Sequence, residues 1–210
     1  MSKLRVFLIA GVGLVLSAGP ALGDQFKPLQ FVWRIWTGST YQVTPVLESI
    51  VPIDFELVDR HSDAAGLYYG VPSEVTELER AGQYEIPKLA KGVFQSTYAR
   101  QIPGTKEAKE NPLFDLKSGR FAVEKHVRDI REAYSKADFE IITMRRADTP
   151  HFPILITEVR LGHRQLNVVY IALTDDANGT IAQIAYHMPE KPSIDNFQIW
   201  NRFLSGLREK

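Results

Sequence analysis

The chain has 210 residues with 25 basic and 25 acidic ones, so its formal charge at pH 7 is zero, and it contains no cysteine. That composition excludes disulfides, thiolate metal sites, a cysteine nucleophile and a lipid-modified cysteine. A near-neutral balance also argues against nucleic acid as a partner, because neutralising phosphates takes a strong basic excess or patch.

Lys3 and Arg5 precede an apolar run from Val6 to Leu16, and small residues then lead to Ala21-Leu22-Gly23 before Asp24. This is the order of a secretory signal peptide, residues 1–23, with cleavage expected after Gly23. The run falls well short of the roughly 20 residues that span a bilayer, and no later run reaches that length. No integral membrane segment is therefore expected after cleavage. Residues 24–210 then form a single globular domain, secreted or periplasmic, with a formal charge of −2 once Lys3 and Arg5 are removed.

Taken in chain order, "FVWRIW" (31–36) reads as an aromatic strand, and "IDFELV" (53–58) alternates as a half-buried strand does. A short strand at 67–71 follows, with "RHSDAAG" as the hairpin turn between them. Ser73 is a natural N-cap for a helix to Ala81 that Gly82 stops. The spacing of Ile86, Leu89, Val93 and Thr97 predicts a second helix, weakened by Gly92. Residues 101–119, with prolines at 103 and 112 and glycines at 104 and 119, read as a long connection. A stronger helix spans 120–137, where Val123, Val127, Ile130, Tyr134 and Ala137 form a stripe. Its other side carries opposite charges four residues apart and reads as solvated.

Four strands joined by short turns follow: "FEIITMRR", "PILITEVRL", "LNVVYIAL" and "TIAQIAYHM". A final helix starts at Ser193, with Phe197, Trp200, Leu204 and Leu207 as its apolar stripe and Arg208 and Lys210 at its C-terminal end. A two-residue turn at His163-Arg164 sets Thr157 opposite Tyr170, and one at Asn178-Gly179 sets Tyr170 opposite His187. Both sheet faces then come out apolar, so neither meets water. The fold class is α+β, a mainly antiparallel sheet with a C-terminal four-strand meander, covered by helices on both faces.

An exported chain with strands, then helices, then an antiparallel meander closed by a helix, "AYHMP" followed by "IWNRFLSGL", resembles the PsbP and DcrB-like α/β/α sandwich proteins. The resemblance covers the C-terminal part of the chain. It implies a non-enzymatic accessory or binding protein, and it transfers no functional residue set.

The proposed registers place Thr157, Tyr170 and His187 side by side on one face, either as mutually satisfied core polar groups or as the lining of a pocket. Arg145, Arg146, Glu158, Arg160, His163, Arg164 and Asn167 gather at one end of the sheet, as solubilising charge or as a grip for an anionic ligand or a partner's carboxylates. Trp33 and Trp36 lie on opposite faces of their strand, so one aromatic side is free for an interface. None of His61, His126, His151, His163 and His187 pairs with another at i+2 or i+4, and no metal or cofactor motif is present. "TDDAN" (174–178) lacks the spacing of a calcium loop and reads as a hairpin turn. The expected function is binding of a partner protein or small ligand without catalysis. The other reading is a secreted hydrolase or ligand-transforming enzyme using Tyr170 and His187.

Overall fold

The computed structural model describes residues 25–36, 41–58, 67–82, 85–101, 113–115, 118–133, 135, 138–149, 152–162, 164–173 and 180–209. The expected signal peptide at 1–23, His61, His151, His163 and the expected turns at 59–66 and 174–179 lie outside these, as does most of the 101–119 connection.

The chain opens with β1 (Phe26–Trp36) and β2 (Tyr41–Pro52), then β3 (Glu56–Val58) and β4 (Leu67–Gly70). Helix α1 (Pro72–Ala81) leads to β5 (Val93–Gln101), and the short strands β6 (Phe114–Asp115) and β7 (Arg120–Phe121) precede α2 (Val123–Ala133). The remainder is β8 (Phe139–Asp148), β9 (Pro153–Leu161), β10 (Arg164–Leu173), β11 (Thr180–His187), α3 (Ile194–Gly206) and β12 (Arg208–Glu209). A seven-stranded sheet has the order β3-β4-β5-β11-β10-β9-β8, and β1-β2-β12 form a three-stranded one. Every pairing among the described strands is antiparallel. The molecule is thus α+β with antiparallel sheets.

The first face of the large sheet carries Ile154, Ile156, Val169, Ile171, Ala182, Ile184 and Tyr186, buried with Phe31, Leu47 and Val51 of the β1–β2 hairpin and Ile199, Trp200 and Phe203 of α3. A second sheet therefore shares this face with the helix, where helices alone were expected. On the second face, Leu155, Ala172 and Ile181 pack with Phe114, Phe121 and Val123, while Val93 packs with Val75 and Leu78 of α1. Each fully buried Leu, Ile or Phe contributes roughly 1.5–3 kcal/mol. Both sides of β9–β11 are used, which is why "VVYIAL" lacks alternation.

Several local readings change. Strand β2 was not expected, because its prolines argue against a strand. Pro45 is absorbed at a register shift, where Phe31 pairs Leu47 but Val32 pairs Pro45. Ser73 does not cap α1: the N-cap is Val71, and Pro72 occupies the first turn, where its missing N–H costs nothing. The helix expected at 86–97 is absent, since 86–92 is irregular and β5 begins at Val93. Gly92 sits at φ 85, and a β-carbon there would lie 2.6 Å from the His187 carbonyl oxygen. That backbone breaks a helix and fits glycine alone.

In α3 the buried stripe is Asn196, Ile199, Trp200 and Phe203, one step round from the expected one, and Phe197 is exposed. Ser193 does cap this helix, with a reciprocal box to Asn196. Arg208 leaves the helix for β12 and pairs with Glu48 across β2, Nε to Oε1 at 3.0 Å.

Candidate functional site

The hairpin registers differ from those expected. Thr157 pairs Val168, Tyr170 pairs Leu155 and Gln183, and His187 pairs Leu166. Both differences are even, two and four residues, so every side chain keeps its face while the row slides apart. His187 lies four residues from Gln183, the partner of Tyr170, about 13 Å along the strand at about 3.3 Å per residue. Thr157, Tyr170 and His187 therefore share the second face without forming a row.

Each has other surroundings. His187 Nε2 meets Gln95 Oε1 at 2.9 Å, and Gln95 Nε2 donates to the Tyr68 hydroxyl at 3.2 Å. With Gln95 donating to Tyr68, its oxygen faces the imidazole and fixes the Nε2–H tautomer. Burial, and secondarily Arg164, lower the His187 pKa to about 4, so the ring is neutral at pH 7. Tyr170 meets the edge of His126 from α2, ring centroids 4.7 Å apart. The sequence reading weighed His126 only as a metal ligand or catalyst and did not place it beside Tyr170, because its position in the charged half of α2 hid its inward direction. Thr157 is buried, and its hydroxyl has no hydrogen-bond partner among the described residues.

The basic group divides by strand alternation. Arg145, Glu158, Arg160 and Asn167 share the first face, whereas Arg146 and Arg164 belong to the second. Arg160 pairs with Glu140 at 2.5 Å, Arg146 Nε donates to the Phe121 carbonyl at 2.7 Å, and Arg164 donates to the Glu85 carbonyl. Burial raises the Glu158 carboxyl above its ordinary range, against the opposing pull of Arg145. These guanidinium forks are engaged within the fold and do not form one anion grip. The side chains of Trp33 and Trp36 lie outside the described residues, as does His163. No group of three His, Cys, Asp or Glu residues among the described ones is placed to hold a metal ion. No helix among them is long and apolar enough to cross a membrane.

A different constellation surrounds the irregular segment 85–92. The Glu74 carboxylate of α1 accepts the backbone N–H groups of Ala90 and Lys91 at 3.1 Å and of Gly92 at 3.0 Å. Asn196 of α3 donates Nδ2 to the Ala90 carbonyl at 2.9 Å, and the Tyr186 hydroxyl donates to that of Lys91. Burial pushes the Tyr186 phenol far up, so it stays a donor across the physiological range. Arg164 holds Glu85 at the other end, and Lys91 Nζ pairs with Asp54 at 2.5 Å. Side chains from α1, β10, β11 and α3 thus fix a loop that has no ladder of its own.

The segments joined there carry exposed apolar residues: Ile53 at 58%, Ile86 at 41%, Ile194 at 76% and Phe197 at 41%. Asp54 follows Ile53 in the β2–β3 turn and is tied to Lys91, while Asn196 lies between Ile194 and Phe197 and is tied to Ala90. Sequence reasoning missed this rim because it read 86–97 as helix and Phe197 as core. The available signal was Pro87 and Gly92 bracketing a segment too short for a stable helix.

No family model matches the chain. No curated protein matches it either. Among solved structures it is similar to the solution structure of cyanobacterial PsbP (CyanoP) from Synechocystis sp. PCC 6803, at 11% identity and TM-score 0.47, over 94% of this chain and 100% of that one. It is also similar to a mutant of the protein Mog1, at 10% identity and TM-score 0.41, over 86% of this chain and 95% of that one. A weak, fold-level resemblance to PsbP therefore holds, and no site residue is carried over from either structure.

Proposed function

We propose that the chain is an exported, non-enzymatic domain that binds a partner protein through the rim formed by the β2–β3 turn, the 85–92 loop and the start of α3. One observation carries this reading: a loop without regular structure is fixed by side chains from four elements, and the segments it joins display Ile53, Ile86, Ile194 and Phe197 to solvent. A loop held in one conformation loses little entropy on binding, and exposed apolar residues supply the contact. Export is inferred from the N-terminal charge and hydropathy order. The domain is taken to be an α/β sandwich whose four C-terminal strands form a meander, the architecture of non-enzymatic accessory proteins. The basic group is set aside as the grip, because Arg146, Arg160 and Arg164 already have internal acceptors. A catalytic pair of Tyr170 and His187 loses its support because four residues of strand separate them.

The test is a photo-crosslinking amino acid placed at 86, 194 or 197, with 128 and 131 on α2 as controls, in the cell that exports the protein. A discrete adduct of one partner at the rim positions, lost in an Ile194→Asp/Phe197→Asp background, is the expected result. Equal labelling of α2, or no discrete adduct at the rim, would sink the reading.

A further inference from the structure

The seven-stranded sheet ends in two unequal strands. β3 has three residues, whereas β8 has ten and, among the described residues, pairs with β9 on one side and with no strand on the other. An open edge of that length is a template for a further strand, which its N–H and C=O groups can bind. The bulge in β8 decides what it accepts. Ile141 pairs Val159 but Thr143 pairs Glu158, so Ile142 is the extra residue, and it is 41% exposed. Glu140 pairs Arg160 and Arg145 pairs Ile156, an even distance apart on β9, so both project from the first face, and both are exposed. In an unbulged strand residues five apart point to opposite faces; here the bulge brings an acid and a base to the same one.

That arrangement is self-complementary. When a strand pairs antiparallel with its own copy, a two-fold axis relates the two and each face continues across the seam. With the axis between Ile142 and Thr143, Glu140 of each copy stands opposite Arg145 of the other on the first face. Ile141 stands opposite Met144 on the second face, since these pair Val159 and Thr157, and Ile142 lies beside the axis. Arg160, already paired with Glu140 at 2.5 Å, extends the alternation of sign across the seam. Arg146 cannot replace Arg145 there, because it projects from the second face and donates to the Phe121 carbonyl. A bulge and charges on an edge repel most strands, but this pattern of charges matches its own copy. The chain's formal charge of zero leaves little long-range repulsion between copies. We propose that β8 is a homodimer interface, in which two copies of the chain join their large sheets antiparallel with Glu140 of each paired to Arg145 of the other. β8 and β3 are opposite edges of the sheet, so the dimer leaves the rim beside β3 free for its partner.

The experiment is sedimentation velocity of the full mature chain over a micromolar to millimolar series. A monomer–dimer equilibrium is expected, weakened by added salt because the ion pairs are exposed. Glu140→Arg and Arg145→Glu each set like charges against one another at both contacts, and each should weaken self-association about tenfold. An equimolar mixture of these two variants restores opposite charges at both contacts and should associate about as tightly as the native chain, although neither variant does so alone. The chain has no cysteine, so single ones can be introduced. Ile142→Cys should give a disulfide-linked dimer on oxidation, and Ile194→Cys at the rim should not. The proposal is overturned if the chain stays monomeric throughout the series, if either charge variant associates as the native chain does, if the mixture is no tighter than its components, or if position 194 crosslinks and 142 does not.

Discussion

The imidazole of His187 is held neutral, and this has a measurable consequence for stability. Its folded pKa of about 4 lies below the ordinary value of 6.5. Between those values the unfolded chain binds a proton that the native state refuses, so stability is full above pH 6.5, falls as pH drops towards 4 and levels off below. The whole step is roughly 3–4 kcal/mol at about 1.4 kcal/mol per pKa unit. His187→Gln keeps a partner for Gln95 but does not titrate, so urea unfolding at a series of pH values should show that part of the acid loss disappear. An unchanged pH profile in the variant would mean that the ring is not desolvated. The residue scale is also where the sequence was least informative. The polar character of Thr157, Tyr170 and His187 was legible, but their partners were set by a register differing by two and four residues. Glu74 gave no signal at all, because a carboxylate on a short helix reads as solvated until the loop it caps is in place.

Among the elements, α3 was the most legible, and it can be tested at its cap. Ser193 and Asn196 exchange hydrogen bonds, backbone to side chain at 2.7 Å and 3.4 Å. Ser193→Ala should cost about 1 kcal/mol of global stability, read from the urea midpoint at constant slope. A loss near zero would show that tertiary contacts alone place the helix start. The strands of "FEIITMRR" to "TIAQIAYHM" were legible because apolar runs between turn residues have few other solutions. Their faces survived the register error because side chains alternate with period two and both differences are even. Strand β2 and the 85–92 segment were not legible, for opposite reasons. Pro45 hid a real strand that accommodates it at a bulge, while Ile86, Leu89 and Val93 mimicked a helical stripe in a segment that Gly92 forces to turn. The stripe of α3 was misplaced by one step because Asn196, a polar residue, occupies a buried position to hold Ala90.

For the whole molecule, the large sheet is covered on its first face by the β1–β2 hairpin with α3, and on its second by α1 and the β6–β7–α2 segment. The rim lies where three of these layers end, and no window of sequence contains it. Its parts are drawn from residues 53–54, 85–92 and 193–197, joined by Lys91 with Asp54 and by Asn196 with Ala90. Such a rim binds well only if the loop is already ordered in the free protein, and that order depends on the Glu74 carboxylate. The most direct measurement is amide hydrogen exchange at Ala90, Lys91 and Gly92 in the unliganded chain, compared with Glu74→Gln. We expect the three amides to be protected to the level of β5 in the native protein, and to lose that protection selectively in the variant while the sheet keeps its own. Fast exchange at all three in the native protein would contradict a pre-organised binding loop.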